Sequence, residues 1–294
     1  MQPENFTCEP LGPKCAVGEG PVWDVQSQRL AWVDCDQRKL FLHTPRTGEV
    51  RELLLPGQPG SYAFIRDNQL LVAYRTELCL VDLETGEQTS VDVKGIDFSS
   101  ARFNDGACDR AGRFWVGTMH KALREPVGGL YRVDPDLSVH SMADGYVVAN
   151  GLAFSPDNRI MYHTDSRPAL IYAYDYDLER GEISNRRVFA DYAGRRERPD
   201  GCTVDAEGNV WAAMLGGSRI AVIDPQGKEI RSISLPVSRP SSLCFGGAEL
   251  DTLYVTSMPF GLSEEELQAQ PLAGVTLALP GAGRGLPEPR FRRA

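Results

Sequence analysis

The chain has no stretch of about 18 consecutive apolar residues, so no membrane-spanning helix is expected. Its opening, Met1-Gln2-Pro3-Glu4-Asn5, lacks the basic patch and apolar run of a secretory leader. The seven cysteines (Cys8, Cys15, Cys35, Cys79, Cys108, Cys202 and Cys244) are scattered, and none falls in a CxxC pair. This spacing argues against a zinc knuckle or a disulfide framework and reads as free thiols in a reducing cytoplasm. Histidine is scarce, at 4 in 294 residues, and His43, His140 and His163 have no metal-ligand spacing. There is no G-x-S-x-G elbow, and neither Cys108 nor Cys202 has a histidine close in sequence, so a serine or cysteine nucleophile finds no support. Positive charge is also in deficit. Lysine and arginine number 31 against 40 aspartates and glutamates, a net charge of −9. Such a field repels phosphate and argues against a nucleic-acid or anionic-membrane partner.

Helical periodicity is nearly absent as well. The exception is residues 263–270, where a serine followed by three glutamates predicts one or two exposed helical turns. What fills the chain is a repeat. Asn104, Asn150 and Asp200 are each followed at once, or after one residue, by glycine. Five residues on comes a turn-former (Asp109, Ser155, Asp205), and at ten and eleven an apolar run opens with Phe114-Trp115, Ile160-Met161 or Val210-Trp211. The same ruler fits from Glu19, more weakly from Gly60, and again from Ser241. Units therefore start near 19, 60, 104, 150, 200 and 241. Each continues through two more β-branched or aromatic runs, such as Leu170-Ile171-Tyr172-Ala173-Tyr174, with turn pairs such as Thr47-Gly48 and Gln226-Gly227.

Four strands per unit and six units predict an all-β fold: one six-bladed β-propeller over residues 1–294, its four-stranded antiparallel blades ringing a central channel. Closed propellers have short, protected edges, so a monomer or weak oligomer is expected. The residues before Glu19, around Phe6-Thr7-Cys8, are expected to add a strand to the last blade and close the ring. The tail 281–294, rich in glycine, proline and arginine, either closes a blade or frays.

In such a ring the first strand of each blade lines the channel, so Glu19, Gly60, Asn104, Asn150, Asp200 and Ser241 converge at one mouth. Two carboxylates in a narrow pore are costly unless a cation lies between them. An all-oxygen set suits Ca2+, Mg2+ or Mn2+ and tolerates Zn2+ or Fe2+. The competing reading is that these residues cap loop backbones; the common phase of Glu19, Asn150 and Asp200 favours the metal. Arg102, two residues before Asn104, shares its face and offers a planar fork of donors to hydroxyl or carboxylate oxygens.

Gly18-Glu19-Gly20-Pro21-Val22-Trp23, Arg102-Phe103-Asn104-Asp105-Gly106, Gly117-Thr118-Met119, Asn150-Gly151-Leu152, Pro199-Asp200-Gly201 and Cys244-Phe245-Gly246-Gly247 closely resemble the SMP-30/gluconolactonase family, which includes regucalcin and the bacterial sugar lactonases. The resemblance implies one divalent metal at the channel mouth, held by Glu19, Asn150 and Asp200, with Asp200 as general base. It also implies Asn104 beside metal and substrate, and Arg102 on substrate oxygens. After Gly117-Thr118-Met119 the chain departs from the animal proteins: His120-Lys121-Ala122 stands where they carry acidic residues, and His120 becomes a candidate substrate contact. The implied activity is metal-dependent opening of a sugar lactone, such as glucono-, xylono- or arabinonolactone, to the aldonic acid. The alternatives are a calcium-binding regulatory propeller and a phosphotriesterase-like hydrolase on the same metal platform.

Overall fold

A computed structural model describes residues 3–294. The inner strands of the six blades are Gly18–Asp24, Pro59–Arg66, Ala101–Cys108, Ala149–Phe154, Arg198–Val204 and Pro240–Gly246. From each, the chain meanders outward through antiparallel strands, and the inner strands neighbour one another around a closed ring. The fold is therefore the expected six-bladed β-propeller. The anticipated helical turns are Glu264–Ala269, closed by a reciprocal cap between Ser263 and Glu266 and burying nothing. No helix among the described residues is long and apolar enough to cross a membrane. All seven cysteines are free thiols.

The turn-formers of the repeat hold the blades shut. Asp109 accepts from the Trp115 indole at 2.9 Å and Asp205 from that of Trp211 at 2.8 Å, so the +5 aspartate anchors the +11 tryptophan of its own unit. Asp109 also takes the guanidinium of Arg113 at 2.8 Å. Ser155 does the lighter version, accepting the Ile160 amide at 3.0 Å. These tryptophans are wholly buried between neighbouring sheets, along with Trp23 and Trp32.

Of two expectations about the termini, the closing N-terminal strand is present but lies a few residues later than Phe6-Thr7-Cys8, and the reading of the tail is corrected. The strand that closes the ring is Glu9–Leu11, paired antiparallel with Thr276–Pro280 in the sixth blade. Phe6 and Cys8 instead pack on the core shared by the fifth and sixth blades, while Glu4–Asn5 adds a parallel edge to the fifth. Apolar side chains at 6 and 8 serve the seam between sheets, not a sheet edge.

The tail neither joins a blade nor frays; it crosses the ring. Starting over the fifth and sixth blades, Arg284 accepts from Ala206 and Gly285 donates to Leu250, both at 2.8 Å. Arg290 then grips Asp24 and Asp67 of the first two blades. Phe291 donates its amide to Phe64 at 2.7 Å and sinks its ring into the core between the second and third. All these partners lie at the turn end of the inner strands, opposite the end carrying the repeat anchors. Leu286, Pro287, Glu288 and Pro289 cover the pore there, leaving beneath them, against Cys108, Leu152 and Thr203, a cavity of only about 30 Å³. Burial pushes the Glu288 carboxyl up, opposed by Arg110 and Thr203.

Candidate metal and substrate site

Each inner strand breaks its pairing register at its anchor, between Glu19 and Val22, Pro59 and Ser61, Phe103 and Gly106, Asn150 and Leu152, Pro199 and Cys202, and Pro240 and Leu243. A bulge re-aims a side chain that regular pleating would commit to a sheet face. Six equivalent bulges re-aim six equivalent positions, one in each blade.

Two anchors serve packing alone. A Cβ on Gly60 would stand 2.7 Å from the carbonyl oxygen of Asn104, so glycine here lets the second blade approach the third. Ser241 is wholly buried and donates to the carbonyl of Gly18 at 2.6 Å, tying the sixth blade to the first.

The other four form a polar belt. Arg102 donates to the carbonyl of Phe103 at 2.9 Å and to Asn104 Oδ1 at 3.3 Å. Asn104 Nδ2 donates to the carbonyl of Ala149 at 3.0 Å. Next door, Asn150 Nδ2 donates to Ser166 Oγ at 3.2 Å and to Asp200 Oδ1. Asn150 and Asp200 are buried, while Glu19 keeps part of its surface open to the pore. Gly151, at φ +43°, has no room for a side chain: a Cβ would lie 2.6 Å from the Asp200 carbonyl oxygen.

His120 ends the second strand of the third blade, at the same mouth. Its Nδ1 accepts from the backbone amides of Glu125 at 2.7 Å and Arg124 at 3.3 Å. That leaves Nε2 as the end of the ring available to a ligand.

The sequence reading assigned no role to Asp105. This third carboxylate accepts from its neighbour Gly106 at 2.8 Å and, across the blade boundary, from Gly151 at 2.9 Å. It thereby positions the Asn150-Gly151 turn. Cys35 was also missed; its thiol lies within the fields of Glu19 and Arg102, and burial holds it protonated. Asp105 sat in view within Asn104-Asp105-Gly106, but only the bulge tells which of two adjacent polar residues turns inward. Cys35 lies off the repeat phase and gave no signal.

The carboxylates are under strong electrostatic stress. Burial pushes Asp105 up to about 6. Burial first, then the charge of Asp105, pushes Asp200 up to about 8, against the pull of Arg239 and Asn150. Glu19 is raised well above the usual range by burial and by the charges of Asp200 and Asp105. Three acids that resist ionising together, lined with an amide and no imidazole, fit a dication of the oxygen-seeking kind. Among the described residues no three histidine, cysteine, aspartate or glutamate side chains are grouped to hold a cation by themselves, so the Asn150 amide would have to complete the set.

This stress predicts an unusual pH response. Between about pH 4 and pH 8 the metal-free fold retains a proton on Asp200 that the unfolded chain has released, so stability falls as pH rises. A dication competes with that proton, so adding one should raise the melting temperature more at pH 8 than at pH 5. Calorimetry with and without chelator checks this; a pH-independent cation effect would contradict it.

The family model described as SMP-30/gluconolactonase/LRE-like region matches residues 17–259. A 6-deoxy-6-sulfogluconolactonase from Pseudomonas putida is 37% identical over 291 residues, covering 98% of this chain and 99% of the relative. Regucalcin from Oryctolagus cuniculus is 34% identical over 284 residues, covering 94% and 95%. Among solved structures, a calcium-binding protein, regucalcin, from Agrobacterium tumefaciens superposes with a TM-score of 0.93 at 28% identity, covering 98% of both chains.

Proposed function

The chain belongs to the SMP-30/gluconolactonase/LRE-like family, and from that membership and the pore chemistry we propose that it is a metal-dependent hydrolase of sugar lactones. The observation that carries the reading is the stressed carboxylate pair, Glu19 and Asp200, beside the Asn150 amide and the Arg102–Asn104 pair.

Glu19, Asn150 and Asp200 would hold the cation. When bound, it supplies an electrophile for the lactone carbonyl oxygen and acidity to a water in its shell. Asp200 takes the proton of the attacking water and returns it to the ring oxygen as the acyl C–O bond breaks, giving the hydroxy acid. Burial and Asp105 push Asp200 toward protonation; a cation held beside it would oppose that shift and favour the carboxylate form that a base requires. Asn104, fixed on the Ala149 carbonyl, steadies Arg102, whose remaining donors hold substrate hydroxyls. His120 offers Nε2 to the far side of the sugar. A site built only to store a cation has no use for the Arg102–Asn104 pair, which favours an enzyme over a calcium-binding regulator.

The test is acid release from a panel of glucono-, xylono-, arabinono- and galactonolactones, with and without divalent metal, after subtracting spontaneous hydrolysis. Metal-dependent acceleration on at least one lactone is expected. Glu19→Gln should weaken metal binding about tenfold or more, read by titration calorimetry. Metal binding without acceleration on any lactone would instead favour the regulator.

A further inference from the structure

Arginine recurs at one phase of the repeat. Arg102, Arg198 and Arg239 each stand two residues before the anchor of their blade: Asn104, Asp200 and Ser241. The loops joining second to third strands open at the same mouth, and two of them carry Arg75 and Arg167. Arg75 opposes the charge of Arg102, and Arg198 opposes that of Arg167, so like charges have been brought together.

Elsewhere the larger guanidinium networks are neutralised. Arg113 pairs with Asp109, Arg132 with Asp134, Arg219 with Glu197 and Glu229, and Arg290 with Asp24 and Asp67. In contrast, among the described residues Arg198 and Arg239 have no ion-pair partner within 4.0 Å, and neither side chain donates a hydrogen bond to the protein. Both are half-buried, and the Nε of Arg239 is fully enclosed with no acceptor. A buried donor without a partner costs stability, and concentrated positive charge is unexpected on a chain of net charge −9. Arg239 acts on two acids, Asp200, already engaged by Asn150, and Glu266, whose carboxylate accepts from the Ser263 amide.

We infer that Arg239 and Arg198, assisted by Arg167 at the rim, form a subsite for an oxyanion, and that the preferred substrate is a lactone bearing a carboxylate, phosphate or sulfonate away from its reacting carbonyl. The inference rests on the lactonase reading for the reacting end only; the anion site stands on the arginines. Planar forks from adjacent blades suit the several oxygens of such a group and do little for a neutral hydroxymethyl.

Two measurements on the metal-loaded full chain decide it. The first compares kcat/KM for glucono-1,5-lactone with that for lactones of the same sugar carrying a terminal carboxylate, phosphate or sulfonate; the ranking identifies which oxyanion fits. The anionic lactone should be favoured by about 10- to 100-fold, and Arg239→Gln or Arg198→Gln should reduce that ratio by about tenfold or more. A ratio near one in the native chain, or one that neither substitution moves, overturns the inference. The second compares binding of sorbitol 6-phosphate and sorbitol by titration calorimetry, which needs no turnover. If no lactone is opened, the lactonase reading fails. Even then, tight binding of the phosphate that Arg239→Gln weakens would uphold the anion site, and equal binding of the two polyols would dismiss it.

Discussion

Asp200→Asn should lower kcat/KM on the best lactone by about 10²- to 10⁴-fold, the usual worth of a positioned base, while leaving a folded and even stabler metal-free protein. The two halves have one cause. In the native chain Asp200 is buried beside Asp105, and its charge also weighs on Glu19. The amide is nearly isosteric and uncharged, so it removes the like-charge stress and should flatten the loss of metal-free stability toward pH 8. It cannot accept a proton from water, and it contributes no charge toward a cation. Steady-state rates, metal titration and melting curves at pH 5 and pH 8 together test this. Native rates in the variant would remove Asp200 from the chemistry. A sharp fall in metal-free stability would mean that the carboxylate serves packing.

Phe291→Ala should cost about 3–5 kcal/mol of stability, the range for truncating a large buried aromatic. The ring is 1% exposed and packs in the core with Leu71, Phe103 and Phe114 of the second and third blades. Losing it leaves a cavity and also frees the tail that links both blades to the fifth and sixth. That is a large fraction of the 5–15 kcal/mol typical of a folded domain. Urea unfolding checks it; a change under about 1 kcal/mol would mean that the seam closes without the ring.

The blade plan was legible because a propeller needs the same residue types at the same phase six times. A turn aspartate that must receive an indole, or an anchor on a bulge, leaves a period of 41–50 residues. The gathering of Glu19, Asn150 and Asp200 was legible for the same reason, since they share that phase. Elements used once were not. Glu9-Pro10-Leu11 has no strand-like composition, and its pairing is decided by the free edge of Thr276–Pro280. The tail's path runs over surfaces from all six blades, and nothing periodic announces it. Arg239 was hidden because Ser241, the anchor it precedes, supplies no pore chemistry of its own.

The tail has a kinetic consequence. With 286–289 seated over one end of the ring, a substrate is expected to enter at the opposite mouth, where the proposed site groups stand. On the lactonase reading, a lactone would arrive, and its acid depart, by that mouth. With Arg102 in its proposed role, the acid would carry a new carboxylate into that guanidinium's field, so product should act as a competitive inhibitor, and flux should depend on whatever withdraws it from the solution outside.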